Sequence, residues 1–412
     1  MKRILKVLLY SILGIIIAGL IISYIAYWSF SPGIKSIEVK DADLVFFQES
    51  YPDARNEFLA RAKVLQDRYE NVRLLNYHIE SKIDTNLIMD ICYIPPQQDT
   101  GRLLIITSGL HGIEGYTGSA IQQMFMKELI TEEEVLDEGI LLIHSINPFG
   151  FKYMRKTTEN NIDLNRNCDV DKSMFENKNQ GYADLYDLLC PAGKANSGSL
   201  GNRFFYLVAI WKIIQESMAT LRQAALQGQY EFPEGIYYGG NDFEPQIYFL
   251  QSVLPEIFDP YDLILTIDLH TGYGMWGKLH LFANPVEDEL IRKRTENLFV
   301  NQPIDWGDSE DFYTTMGDFC NFLGQLNPDA TYLSMPFEFG TLDSQKTFGS
   351  LHSIQNAILE NQGYHNGYKN DRQEKKIKKN YREMYYPSSA PWRSEVIRQS
   401  REMFTVVLEN YQ

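Results

Sequence analysis

The chain has 412 residues, 44% of them hydrophobic and 13% aromatic, which is enough apolar material for a full globular core and unlike a disordered or fibrous composition. With 38 basic against 54 acidic residues the formal charge is -16, which repels a phosphate backbone and argues against nucleic-acid binding. Four cysteines, Cys92, Cys168, Cys190 and Cys320, are too few and too scattered for a disulfide scaffold. They read as core thiols, with Cys168 and Cys190 the nearest pair if an exported domain carries a bridge.

Met1-Lys2-Arg3 is followed by a largely apolar run from Ile4 to Phe30, long enough for a helix to span a bilayer. No small-x-small cleavage site precedes Ser31-Pro32-Gly33, so the run reads as an uncleaved anchor and not as a secretory signal. Membrane contact is therefore expected through residues 4–28. Lys2, Arg3 and Lys6 place the N-terminus in the cytoplasm and the rest of the chain outside, giving a single-pass cell-membrane protein with an extracytoplasmic catalytic domain. Residues 31–50 read as a tether, 51–365 as one large domain and 366–412 as a C-terminal helical tail.

Within the domain, Pro52 to Glu70 has the apolar spacing of an amphipathic helix. Val72 to Ile79 and Leu87 to Ile94 read as strands separated by a turn, and Leu103 to Thr107 as a short, fully apolar strand that runs into Ser108-Gly109-Leu110-His111-Gly112. Ser119 to Ile130 then reads as helix. The same strand-then-loop pattern recurs at Ile140 to Ile146, ending in Asn147-Pro148-Phe149-Gly150, and at Leu263 to Leu269, ending in His270-Thr271-Gly272. A long helix is expected between Asn202 and Gln227, and a last one at Glu395 to Glu409. Short apolar strands alternating with helices predict an α/β fold, a mixed, mostly parallel central sheet covered by helices, whose chemistry gathers beyond the carboxyl ends of the strands.

His111-Gly112-Ile113-Glu114 places an imidazole and a carboxylate three residues apart on a turn at a strand end, close enough to reach one ion. His270, at the end of a second apolar strand, supplies a distant third ligand. Two histidines and one carboxylate with a position left open is how catalytic zinc is held, so one Zn2+ per chain is expected on His111, Glu114 and His270. Asp268 lies two residues before His270 on the same strand face, as a hydrogen-bond partner for that histidine or an unrelated acid. No Gly-x-Ser-x-Gly elbow, His-Glu-x-x-His helix or Gly-rich phosphate loop occurs.

Between the two ligand segments lie Asn147-Pro148-Phe149-Gly150, then Arg155, then Asp163-Leu164-Asn165-Arg166-Asn167, and Glu338 follows late in the apolar run Pro336 to Thr341. In this order the motifs resemble those of the zinc carboxypeptidase A superfamily. Ser108 to Gly115, Asp163 to Asn167, Tyr237-Tyr238-Gly239-Gly240 and Asp268 to Gly272 look most like a bacterial carboxypeptidase-like family of unknown function. The resemblance covers about Leu103 to Thr341. It implies that Arg155 polarises the scissile carbonyl, that Asn165 and Arg166 grip a substrate carboxylate, and that Asp163 orients the first zinc histidine; a guanidinium fork suits a carboxylate. It also makes Glu338, costly to bury unless used or paired, the general base and Tyr313 the candidate substrate tyrosine.

The stretch from His111 to His270 is longer than in typical carboxypeptidases, and the extra length falls in Ser173 to Pro245, where it is expected to cap or reshape the cleft. The activity so implied is cleavage of an amide bond next to a free carboxylate, in a peptide or cell-wall peptide. Deacylation of an acylated amino acid is the alternative within the superfamily, and a catalytically inactive, membrane-tethered peptide-binding domain is the alternative outside enzymes.

Overall fold

The computed structural model describes residues 2–33, 37–98, 100–130, 137–307 and 315–411. Among the described residues nine strands form one sheet: β1 (Arg73–His78), β2 (Ile88–Ile94), β3 (Arg102–Ser108), β4 (Gly139–His144), β5 (Leu263–Gly272), β6 (Leu279–Ala283), β7 (Ile304–Trp306), β8 (Thr331–Ser334) and β9 (Phe337–Gly340). Their spatial order is β1-β2-β4-β3-β5-β9-β6-β7, with β8 also pairing β5. β4, β3, β5, β8 and β9 run parallel, and antiparallel pairs occur at β1/β2, β2/β4 and β6/β9. This is the mixed, mostly parallel sheet expected.

Side chains alternate across the sheet, and both faces are buried. On β3 and β4, Leu104, Ile106, Ile140 and Leu142 enter one core with the Tyr51–Arg68, Gly115–Met124 and Ala390–Asn410 helices. Leu103, Ile105, Leu141 and Ile143 enter a second core under the Pro245–Phe258 and Phe319–Gln325 helices. Strands covered on both sides read as unbroken apolar runs, which is why these were conspicuous in the sequence.

Three segments differ from expectation. The C-terminal residues are no appendage: Trp392, Val396, Phe404 and Val407 lie in the first core, the Trp392 indole donates to the Gly340 carbonyl, and the Tyr411 hydroxyl donates to the carbonyls of Leu103 and Leu263. The tether is partly core as well, because Asp43 and Phe46 are buried and Arg401 pairs with Asp43 at 2.9 Å. The long helix between Asn202 and Gln227 is broken into Phe205–Glu216 and Met218–Leu226, where Ser217 adopts a positive φ of 80°. These two helices, Gln180–Leu189 and Thr347–Asn366 share a third apolar cluster.

At the N-terminus Lys2–Trp28 is helical. Side chains 2–5, 7–9, 12 and 16 of the expected anchor lie outside the described residues, and among the described residues no helix is long and apolar enough to cross a membrane. The end of this helix is docked on the third cluster, where Tyr27 stacks on His352 at 4.0 Å and on Tyr206 at 4.8 Å and donates to Gln355. Among the described residues all four cysteines are free thiols, three buried and Cys190 half-buried.

Candidate metal centre

The site lies at the carboxyl ends of the parallel strands β3, β5 and β9. After β3 the chain turns through Gly109, whose φ of +71° disfavours any side chain, and presents His111. The 3-10 turn Gly112–Glu114 then carries Glu114. A Cβ on Gly112 would meet the Gly150 backbone at 2.2 Å, so the ligand loop and the Asn147-Pro148-Phe149-Gly150 turn touch backbone to backbone. The turn itself is fixed by the Asn147 side chain, which accepts from Gly150 N–H and donates to the Lys156 carbonyl. His270 comes from β5 directly.

The Nδ1 atoms of His111 and His270 lie 3.3 Å apart, and those nitrogens lie 3.0 and 3.1 Å from the two oxygens of Glu114. All three residues are buried. Each histidine is held from behind. His111 Nε2 is 3.1 Å from Asp163, and His270 Nε2 is 2.6 Å from Asp268, whose other oxygen accepts from Thr107 across β3/β5. With Nε2–H given to an aspartate, each imidazole turns its Nδ1 lone pair toward the other and toward a carboxylate. Once His270 gives up its second proton, the two Nδ1 atoms and the carboxylate form a ligand set for one cation. Zinc bonds of ~2.0–2.1 Å in a tetrahedron put ligand atoms roughly 3.3 Å apart, which the observed separations match. Aspartates so placed are able to set the tautomer and ring angle of each histidine.

The charges are strongly coupled. Burial opposes ionisation of Glu114, but the charge and hydrogen bonds of His111 and His270 outweigh it and bring its carboxyl down to about 2. Burial alone would lower His270, yet Asp268 and Glu114 hold it well above the usual imidazole value. Asp163, also buried, is kept well below the carboxylate range by Lys156, His111 and Arg166.

Glu338 stands opposite. It is the register partner of His270 in the parallel β5/β9 pair, half-buried, and accepts a 2.7 Å hydrogen bond from Tyr273 N–H. Burial first and the charge of Glu114 second push its carboxyl up to about 8, against the pull of His270 and the Tyr273 N–H.

Asn165 and Arg166 line the same cavity. Asn165 accepts from Phe319 N–H, while the Arg166 guanidinium donates to the Leu226 and Asn165 carbonyls and stacks toward Tyr237. Arg155 is not brought to the cavity of the metal centre. Its guanidinium is buried against Glu360 at 3.0 Å, donates to Asn161 and Asn361, and lies 3.4 Å above the Tyr364 ring, while its carbonyl accepts from Ile113 N–H. The next residue, Lys156, does line the cavity, and it pairs with Asp163 at 2.7 Å. Sequence reasoning passed over Lys156, although its adjacency to the motif arginine was visible. It also missed Tyr385 from the C-terminal region, which lines the cavity while its carbonyl accepts from the Thr271 hydroxyl. Tyr313 lies outside the described residues.

Fold and geometry thus define a mixed α/β protein whose strand ends bring two histidines and one carboxylate close enough to hold one metal ion. By sequence the chain belongs to the family described as Protein of unknown function (DUF2817), whose pattern matches residues 47–399. No curated protein matches it. Among solved structures it is similar to bovine thrombin-activatable fibrinolysis inhibitor in complex with tick carboxypeptidase inhibitor, at 14% identity over 76% of this chain and 97% of that chain, TM-score 0.40. It is also similar to carboxypeptidase A from Helicoverpa armigera, at 14% identity over 81% and 73%, TM-score 0.39. A third is the succinylglutamate desuccinylase/aspartoacylase from Rhodobacter sphaeroides, at 13% identity over 72% and 65%, TM-score 0.35.

Proposed function

We propose that this chain is a zinc-dependent hydrolase that cleaves an amide bond next to a free carboxylate, in the manner of a metallocarboxypeptidase acting on peptides or cell-wall peptides. The observation that carries this reading is the convergence of His111, Glu114 and His270, each histidine backed by an aspartate, with the Glu338 carboxylate beside them. Zinc held by these three residues would supply Lewis acidity to the scissile carbonyl and to the attacking water. Glu338 takes the proton of that water and returns it to the leaving amine, a task suited to a carboxylate whose affinity for protons burial has raised. Lys156 sets a fixed positive charge near the carbonyl oxygen, where negative charge grows. Asn165 and Arg166 orient the substrate carboxylate.

The apolar sequence of residues 4–28 and the exposed Leu13, Ile15, Ile17, Ile21 and Ile22 support a single-pass anchor with the catalytic domain outside the cell. Carbonate-washed membranes should retain the full chain, and its recovery in the wash would remove the anchor. For the chemistry, purified protein should carry one zinc and cleave C-terminal residues from a peptide library; a metal-loaded protein that binds peptides tightly and cleaves none would instead be a binding domain.

A further inference from the structure

The metal centre opens into a cavity of roughly 300 Å3 whose far side is hydrocarbon. Its walls include Leu185, Leu189, Ala209, Ile213, Leu226 and Ile354, contributed by the helices of the third apolar cluster, with Ser350 and Ser353 beside them. Such walls shelter hydrocarbon, whether the apolar side chain of a peptide or a longer acyl chain. Lys212 is the charged residue that the Gln180–Leu226 stretch adds to this lining.

A second observation comes from the other side of the same wall. Along Phe205–Glu216, Phe205, Ala209 and Ile213 face the cavity with helical spacing, while Val208, Trp211 and Ile214 stand exposed on the opposite face. An exposed apolar face, here interrupted among the described residues only by Gln215, on a helix whose other face lines the cavity suits a hydrocarbon surface. The exposed face is continuous with the apolar N-terminal helix: Trp28 donates to the Arg203 carbonyl, and the Tyr24 and Phe204 rings are 5.5 Å apart. One helix therefore separates the catalytic cavity from a surface suited to hydrocarbon.

Resting on the hydrolase reading above, we infer that the substrate is a membrane-resident amphiphile of the long-chain N-acyl amino acid kind, whose hydrocarbon chain fills this chamber while its carboxylate meets Arg166. Water adds to the acyl carbon, the carbon–nitrogen bond breaks, the water proton passes to the amine, and a fatty acid and an amino acid are released.

Two measurements on the full chain in phospholipid nanodiscs test this. With zinc-loaded protein and N-acylglycines from acetyl to palmitoyl, kcat/KM should climb about fourfold per methylene until the chamber is full. Ala209→Trp should flatten that slope, whereas partitioning of substrate into the lipid would leave it intact. Because that variant could misfold, the second measurement uses metal-free native protein and N-palmitoylglycine bearing a diazirine near the chain end. Crosslinks should map to Gln180–Leu226 and Thr347–Asn366; labelling confined to Lys2–Trp28 or scattered over the chain overturns the inference. Turnover of acetylglycine and short peptides without chain-length dependence sinks the chamber and leaves the hydrolase. Crosslinking in the chamber with no amide cleaved sinks the hydrolase instead.

Discussion

Replacing Glu338 by Gln keeps the shape of the side chain and its acceptance of the Tyr273 N–H at 2.7 Å, and removes only its ability to take a proton. Positioned general bases contribute about 10^2–10^4 in rate, so kcat should fall by that factor while KM and zinc content stay within about twofold. The wild-type pH profile should carry the signature of the same group. A base works ionised, so kcat/KM should rise with pH through the Glu338 carboxyl, which burial and Glu114 raise toward about 8 and a bound cation draws back toward the ordinary carboxylate range. In the Gln variant this limb should vanish. Stopped assays over a pH series with metal content measured on the same samples decide the matter. Full activity of the variant at unchanged zinc content refutes the assignment, and an unchanged acid limb shows that another group titrates.

Asp268→Asn should weaken zinc about 10–100-fold, because the amide brings no charge and has one acceptor oxygen where the aspartate uses two, for His270 and Thr107, and competition with a chromophoric chelator measures it. Zinc affinity of the native protein should rise with pH. His270 is held protonated above the usual imidazole value in the metal-free state, so below that value each bound ion must displace its proton. Gly112→Ala should cost at least ~1–3 kcal/mol in thermal unfolding, since the new methyl meets Gly150 backbone and cannot move aside. Arg155→Met should lower Tm by leaving Glu360 buried without its partner, a loss of about 3–5 kcal/mol, whereas Lys156→Met should lower kcat; a large kcat loss at unchanged Tm for Arg155→Met would restore it to the catalytic machinery.

What could be read in advance follows a physical division. The apolar runs of β3 and β5 that lead into His111 and His270 are legible because a strand buried on both faces is mostly apolar, and Glu338 is legible as a carboxylate standing inside the apolar run of β9. Arg155 and Lys156 could not be told apart, because consecutive residues in a loop face different ways and residue type says nothing of direction. The arginine faces Glu360 on Thr347–Asn366, a partner 205 residues away. Likewise the amphipathic pattern of Ala390–Asn410 is the same for an outer tail and for a helix whose Trp392 enters the core. Nothing at Ser217 marked the break that folds the long helix back, since neither glycine nor proline stands there.

The two halves of the site are held by different means, and that difference bears on what can vary. His270 and Glu338 sit on paired strands, and His111 and Glu114 on the turn that follows β3; buried aspartates, a threonine hydroxyl and backbone N–H groups hold these side chains by directional hydrogen bonds. The chamber walls are helices packed on one another in an apolar cluster of their own, and apolar contact sets a volume and not a direction. Exchanging Ala209 or Ile213 for larger residues alters what fits without touching the donors around the metal. Chain-length preference should therefore diverge readily among proteins that keep His111, Glu114, His270 and Glu338 in place, and the length of the Ser173 to Pro245 stretch, more than the metal centre, is where that divergence should be sought.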